Sequence, residues 1–355
     1  MNRWAWFPAV EAGVGQAHVK THVETIGDKN MKVVLRTTLL VAGAALASAA
    51  WAAAGKPLAK ECGPDKDYVI GFSQANFKEP YREHVNHELE RLVKDYPKFK
   101  LVIADGQATV NTQVSQVENF MTQRVDLLMI SPFEAAPLTP SVSAVYKAGV
   151  PVIELDRKTS GDNYTAFVGG DNRAIAREAG EWAAKTLLPE GGEAAILEGL
   201  PSSSPAIERL EGFKAGIASN PKIKLVAVQP VDWMEDQAVT VFSAMLQSHP
   251  DIKLVYTSND LAAAGAYIAA KQAGKADQVK IIGTDGLPGP SGGIRAVADG
   301  QWAATFTYPT GAAQALELAK KILIDCATEV PRNILVPTQR IDQANAKSFY
   351  GKEKF

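Results

Sequence analysis

The chain has 355 residues, 46% apolar and 21% charged, with a net charge of −2. The composition is that of a globular chain, and the length makes room for about two domains. A charge so near balance gives no electrostatic footprint for nucleic acid as a partner.

Residues 1–30 are polar and without periodicity, and they read as an upstream extension with Met31 as the true start. Residues 31–52 read as a signal peptide. Lys32 and Arg36 form a short basic region, an apolar core follows over 39–49, and Ala50-Trp51-Ala52 supplies a small-x-small cleavage site. The apolar core is short for a membrane span, and a transmembrane anchor is the other reading. The mature chain is therefore expected to begin near Ala53 and to be exported. It holds two cysteines, Cys62 and Cys326. An oxidising compartment permits a disulfide between them, and two buried unpaired thiols are the other reading. The absence of CxxC excludes zinc-ribbon and thioredoxin readings.

After Asp67 short β-rich runs alternate with helical stretches. Strands are expected at 69–73, 101–104, 127–130, 152–155, 166–168, 194–197, 225–228, 254–257, 280–283, 304–307 and 334–336. Between most of them lies an amphipathic stretch. Val85, Leu89, Leu92 and Val93 mark one over 83–94, and Ile175, Ala179, Trp182 and Leu187 mark another over 174–188. The alternation predicts parallel α/β sheets. Eleven strands exceed one small doubly wound domain, so two sheets are expected, with a break near Gly169-Gly170-Asp171. A (β/α)8 barrel fits the alternation but accounts less well for the strand count and the glycine pair.

Polar residues recur where these strands end, which is where ligands of open α/β sheets bind. The first strand runs into Ser73, Gln74 and Asn76. Pro80 then suits a first helical turn that carries Tyr81 and Arg82. The second strand ends Ala104-Asp105-Gly106-Gln107, and the third ends Ser131-Pro132 with Glu134 behind. The fourth begins at Pro151 and ends in Asp156-Arg157. Glu198, Trp233, Asn259-Asp260 and Asp285 follow strands of the second half in the same way. A carboxylate accepts hydroxyl protons and a guanidinium donates through a rigid fork, so Asp156 and Arg157 suit a polyhydroxylated ligand. Arg209, early in the helix before Gly212-Phe213, reads as a cleft residue or as a surface ion pair worth under about 1 kcal/mol. Trp233 reads as a core aromatic or as a ring that stacks on a sugar face.

Enzyme motifs mostly fail. Gly71-Phe72-Ser73-Gln74-Ala75 comes near a nucleophile elbow but lacks the last glycine. His84 and His87 share a helix face at i, i+3 with no third ligand near in sequence, which favours a solvated face over a metal site. There is no GxGxxG and no Walker A. A pair of cleft carboxylates for glycoside hydrolysis stays open.

In order along the chain stand Gly71-Phe72-Ser73-Gln74, Ala104-Asp105-Gly106-Gln107, Val150-Pro151-Val152 with Asp156-Arg157, and Gly170-Asp171-Asn172. Glu208-Arg209-Leu210-Glu211-Gly212-Phe213, Ser258-Asn259-Asp260 and Gly283-Thr284-Asp285-Gly286 follow. With these pieces, from about Tyr68 to Asn345, the chain resembles the type I periplasmic sugar-binding proteins, the ribose and galactofuranose group of ABC-transporter solute receptors. The resemblance implies two doubly wound parallel-sheet α/β domains joined by a three-crossing hinge. The N-terminal domain would take 66–170 plus 308–335, and the C-terminal domain 171–307 plus 336–346. It implies ligand contacts at Asp156, Arg157, Arg209, Asn259 and Asp285 and aromatic stackers at Trp233 and Tyr81. Ser73, Gln74, Arg82 and Asp105 would complete the N-domain wall. The hinges would fall at Gly170-Asp171, Tyr308-Pro309 and Val336-Pro337.

Two departures from the ribose receptors stand out. Thr307 and Tyr308 occupy the place where many relatives set a sugar-touching glutamine, and Phe77, Lys78 and Glu79 lengthen the first loop. Arg82 follows the galactofuranose-type pattern, which favours a furanose or pyranose other than ribose. The resemblance also brings Cys62 and Cys326 to the base of one domain, which favours the disulfide. It implies a monosaccharide ligand, a membrane permease as partner, a chemoreceptor or sensor kinase as a further one, and no cofactor. Asp156→Ala and Asp285→Ala are expected to weaken binding alike, each by at least about 2 kcal/mol. A secreted carbohydrate-active enzyme is the rival reading. The sensor domain of a LacI-type regulator is disfavoured, because an export signal stands where a helix-turn-helix would be.

Overall fold

The computed structural model describes residues 58–350. The extension at 1–30 and the signal peptide at 31–52 lie outside them. The first half of the chain forms β1 (Tyr68–Gln74), α1 (Pro80–Leu92), β2 (Phe99–Asp105), α2 (Val110–Thr122), β3 (Leu127–Ile130), α3 (Ala135–Lys147), β4 (Val152–Leu155) and β5 (Ala166–Gly169). Next come α4 (Asn172–Trp182), β6 (Gly192–Glu198), α5 (Ser204–Ile217), β7 (Ile223–Pro230), α6 (Glu235–Ser248), β8 (Ile252–Thr257), α7 (Asp260–Gln272), β9 (Lys280–Ile282), α8 (Gly293–Ala298) and β10 (Ala304–Phe306). The chain closes with α9 (Ala312–Leu323), β11 (Asn333–Leu335), β12 (Arg340–Asp342) and α10 (Ala346–Phe349).

Two six-stranded sheets result, in the orders β11-β5-β4-β3-β1-β2 and β12-β10-β9-β8-β6-β7. The first is parallel throughout, and the second is parallel except for β12, which runs antiparallel to β10. We call the halves built on them the N-lobe and the C-lobe. The chain passes between the lobes after β5, after β10 and after β11. This is the α/β architecture expected from the sequence.

The apolar runs read as strands because both faces of each sheet are covered. In the N-lobe, Ile70, Phe72, Leu127, Met129, Ile153 and Leu155 pack into one core layer with Val85, Leu89 and Leu316. The intervening Leu128, Ile130, Val152 and Phe167 pack into the other with Val117, Phe120 and Val142. The C-lobe repeats the scheme. Ala194, Ile196, Leu254 and Tyr256 face Phe213 and the alanines of α4, while Ala195, Leu197, Val255 and Ile281 face α6, α7 and α8.

Sequence reading gives eleven strands, and the described residues form twelve. The addition is β12, whose Ile341 is its one buried residue. Three residues with a single apolar side chain carry no period, so this strand exists through its pairing with β10. The helix expected over 174–188 ends at Trp182 and continues as a π turn over Ala183–Leu187. Cys62 and Cys326 are joined by a disulfide, with Cα atoms 5.4 Å apart. It fastens the segment before β1 to the end of α9, and Gly63 N–H donates to Leu323 O beside it.

Candidate functional site

The carboxyl ends of both parallel sheets open onto one cleft. The N-lobe contributes Glu79, Pro80, Tyr81, Arg82, Asp156 and Arg157 to its lining. Pro205, Arg209, Trp233, Asn259, Leu261, Asp285 and Leu287 come from the C-lobe, and Tyr308 comes from the second crossing. Pro80 at the start of α1 aims the first helical turn, so Tyr81 and Arg82 leave the helix at the sheet edge. Asp156 stands one residue past β4, Trp233 three past β7, and Asp285 three past β9.

Three of these residues hold a left-handed or related backbone: φ is 68° at Asp156, 71° at Trp233 and 135° at Asp285. Each such position costs of order 1–3 kcal/mol and persists only where its surroundings over-determine it. Here they do. Asp156 N–H donates to Val168 O at 2.8 Å, Asp285 N–H donates to Phe306 O at 2.9 Å, and Met234 N–H closes the turn around Asp232-Trp233 onto Val231 O at 2.8 Å. Two glycines make room for the rings. A Cβ at Gly199 would lie 2.2 Å from the Trp233 ring, and one at Gly170 would lie 2.4 Å from the Tyr308 ring. Gly170 in the first crossing thus lets Tyr308 of the second pack against it.

The N-lobe wall is an ion-pair cluster. Arg82 Nη1 donates to Asp156 Oδ2 and to Ser131 Oγ at 3.0 Å. Glu79 Oε2 lies 3.7 Å from Arg82 Nε and 3.9 Å from Arg157 Nη2. Arg157 is 1% exposed. It donates to Phe133 O at 3.2 Å and stands 5.3 Å over the Trp233 ring. Burial alone would raise the Asp156 carboxyl, but Arg82 and then Arg157 outweigh it and hold it below its ordinary value. Burial, and then Arg82, bring Arg157 down to about 10.

The C-lobe wall is arranged around Arg209. Its Nε donates to Asn172 Oδ1 at 2.8 Å, its Nη1 donates to Ser258 O, and Asp285 Oδ1 lies 3.9 Å away. Its guanidinium stands 4.6 Å from the Tyr308 ring and 5.8 Å from the Trp233 ring. Asp260 opens α7 and accepts from Thr305 Oγ1 at 2.6 Å and from Leu287 N–H at 2.8 Å. Burial pushes Asp260 up to about 6. Burial, and then the neighbouring Asp260 carboxylate, push Asp285 well above its ordinary value against the pull of Arg209.

Of the residues singled out in the sequence, Tyr81, Arg82, Asp156, Arg157, Arg209, Trp233, Asn259, Asp285 and Tyr308 line the cleft. Ser73, Gln74 and Asp105, expected to complete the N-lobe wall, are not among its lining residues. Their polar atoms are used locally. Ser73 Oγ donates to Gln116 Oε1 and accepts from Gln113 Nε2. Gln74 Nε2 donates to Asn86 Oδ1, and Asp105 Oδ1 accepts from Gln107 N–H. Asn259 lines the cleft, yet its Oδ1 caps α7 through Ala262 N–H and its amide donates to Trp233 O. Glu79, read only as part of a longer loop, is a wall residue. Pro205, Leu261 and Leu287 were missed, since no local pattern separates an apolar cleft residue from an apolar core residue. Asn172, which positions Arg209, stood in the sequence only as part of the hinge motif.

Three buried N–H groups of the lining have no hydrogen-bond partner: Arg82 Nε, Arg157 Nε and Trp233 Nε1. Buried donors are almost always paired, and these three stand open to an acceptor.

A family model described as a periplasmic binding protein domain matches residues 70–325. The chain is 31% identical to the ribose import binding protein RbsB of Bacillus subtilis over 306 residues, 85% of this chain and 93% of that one. Among solved structures it is similar to the fructose-binding periplasmic domain of the hybrid two-component system BT1754. The TM-score there is 0.76 with 38% identity, over 79% of this chain and 93% of that one. It is also similar to a Mycobacterium smegmatis protein in complex with β-D-fucofuranose, with a TM-score of 0.73 and 30% identity over 79% and 93%.

Proposed function

The chain belongs to the periplasmic binding protein family, and from that premise we propose that it captures a monosaccharide in the cleft between its lobes and delivers it to an ABC-transporter permease. The observation that carries this reading is the trio of unpartnered donors among charged pairs and aromatic rings. Sugar hydroxyls lose their water when the lobes close, so each needs a partner, and charged partners make the stronger hydrogen bonds. Asp156 and Arg157, with Arg82, hold the ligand from the N-lobe. Arg209, Asn259 and Asp285 hold it from the C-lobe. Trp233 and Tyr81 cover the apolar faces of the ring, and Tyr308 stands at the crossing. Closure around three crossings couples capture to a shape that a permease can recognise.

The site binds and does not turn over. Its relatives are binding proteins, and Asp156 is engaged by Arg82 rather than left to serve as an acid or a nucleophile. Export through a leader at 31–52 supplies the protein to the periplasm. N-terminal sequencing of periplasmic material is expected to read from about Ala53. A second role in sensing is favoured by one observation, the similarity to a domain of a two-component system.

The test is a thermal-shift screen of the chain from Ala53 onward against pentoses, hexoses, furanosides and polyols. A sugar at 100 times its Kd adds about 2.7 kcal/mol of apparent stability. One or two clear shifts, with the sugar recovered unchanged, are the expected result. A flat panel sinks the monosaccharide reading, and a hydrolysed glycoside sinks the reading as a binder.

A further inference from the structure

The polar cleft continues past Trp233 into a second space. Glu79, Trp233 and Leu261 line both. The second space is the roomier of the two. Its walls are chiefly apolar, with Phe133 from the N-lobe and Leu200, Met234 and Leu261 from the C-lobe. Lys78, Gln107 and Asp232 at its border are exposed, so it opens to solvent.

Backbone strain concentrates there. Eight non-glycine residues among those described have positive φ, and four of them line this groove. They form two adjacent pairs, one on each lobe: Gln107 and Ala108 at 54° and 53°, and Asp232 and Trp233 at 47° and 71°. Strain of this kind gathers at ligand clamps. The buried, unpartnered Trp233 Nε1 belongs to the residue shared by groove and cleft.

We infer that the groove is a second subsite, and that the ligand is a glycoside whose apolar aglycone lies there while its sugar occupies the cleft. This rests on the reading of the cleft as a monosaccharide site. Two lobes cannot close on a sugar that carries a bulky substituent unless the substituent has an exit. A groove that straddles both lobes, joins the cleft and reaches solvent is such an exit. Its walls decide the chemical class. Polar side chains stand at the border, but most of the wall area is apolar, so an aromatic or alkyl group gains more by leaving water there than a second, hydroxyl-rich sugar ring does. Met234, 43% exposed, can adapt its shape to such a group.

The experiment compares matched methyl and 4-nitrophenyl glycosides by calorimetry, using galactofuranosides, arabinofuranosides, galactopyranosides, glucopyranosides and xylopyranosides, with the free sugars alongside. For the sugar that binds, the 4-nitrophenyl glycoside is expected to bind at least about tenfold more tightly than the methyl glycoside. Leu200→Gln and Met234→Gln, each tested separately, are expected to erase that gain and leave the methyl glycoside within about twofold of its original Kd. The inference is overturned if the two glycosides bind equally, if only free sugars bind, or if the gain survives both substitutions. If neither sugars nor glycosides bind, the monosaccharide reading itself has failed and the subsite falls with it.

Discussion

On the N-lobe wall Asp156 stands between Arg82 and Arg157 and is held below its ordinary carboxylate range, whereas on the C-lobe wall Asp285 shares its surroundings with Asp260 and is pushed well above it. Both aspartates follow a parallel strand, both have positive φ and both line one cleft. What differs is the company. Asp156 has two guanidiniums beside it. Asp285 has one, at 3.9 Å, whose nearest acceptors are Ser258 O and Asn172, and it has a second carboxylate close by. Residue type and place in the fold do not set a charge state; the sum of neighbouring charges and lost solvation does. One wall therefore offers a well-compensated anion, and the other a pair of neighbouring carboxyls in which burial and mutual repulsion disfavour two negative charges.

The sharpest way to break this comparison is to remove the well-compensated anion. Asp156→Ala leaves Arg82 and Arg157 buried with only the more distant Glu79 as counter-charge, and it is expected to weaken sugar binding by about 3 kcal/mol or more, a hundredfold or more in Kd. Calorimetry measures the binding and a melting curve measures the fold. Asp156→Asn keeps the volume, so it separates lost charge from lost packing, and it is expected to cost binding nearly as much. Tight binding by either variant would remove the assigned role of this carboxylate.

A second expectation uses a buried N-lobe carboxyl whose hydrogen bonds do not offset its burial. Glu154 in β4 accepts from Thr159 N–H and Oγ1, its Oε2 has no partner, and burial pushes it up to about 7. Its folded pKa exceeds its unfolded value, so the native state binds the extra proton. Stability therefore falls as pH rises from about 4.5 to about 7, and it levels off above. Glu154→Gln removes this dependence. Relative to wild type it is expected to gain stability through that window, to a plateau of about 2–3 kcal/mol above pH 7. Melting temperatures from pH 4.5 to 8 measure it, and a constant difference between the two proteins would contradict the assignment.

The equal expectation for the two aspartates is replaced by an unequal one. Asp285→Asn removes a charge that burial and Asp260 disfavour, and it is expected to change Kd at neutral pH by less than about tenfold, or 1.4 kcal/mol. A loss as large as that of Asp156→Asn would show that both walls carry anions. The smallest effect belongs to Arg177, 60% exposed in its side chain and 3.8 Å from Glu181. Arg177→Ala is expected to move stability and binding by no more than about 0.5 kcal/mol.

Much of this was readable from the sequence, and the limits have physical causes. The strands were visible because sheets covered on both faces demand continuous apolar runs, as in Leu127-Leu128-Met129-Ile130. The cleft was visible because polar residues cluster where those runs stop. The choice among them was harder. Ser73, Gln74 and Asp105 carry the right chemistry at the right end of a strand, but α1, α2 and a local turn take up their hydrogen bonds. Nothing in the local sequence distinguishes a side chain turned toward a neighbouring helix from one turned toward a ligand. The raised state of Asp285 depends on Asp260, which a helix and a strand separate from it along the chain. The strain at Asp156, Trp233 and Asp285 was likewise invisible, since residues of these types occupy ordinary extended backbone elsewhere.

The disulfide between Cys62 and Cys326, 264 positions apart, has a mechanical consequence. It ties a covalent ring over 62–326 that contains both sheets except their edge strands β11 and β12. A force applied near the two ends of the described chain loads β11 and β12 in the C-terminal tail and then runs through the sulfur bridge, bypassing the other ten strands. Only the short tails outside the ring can lengthen while the bridge is intact. Reduction releases a contour of about 900 Å. In an optical trap the oxidised protein should thus show almost no unfolding extension, and the reduced protein should show nearly all of it.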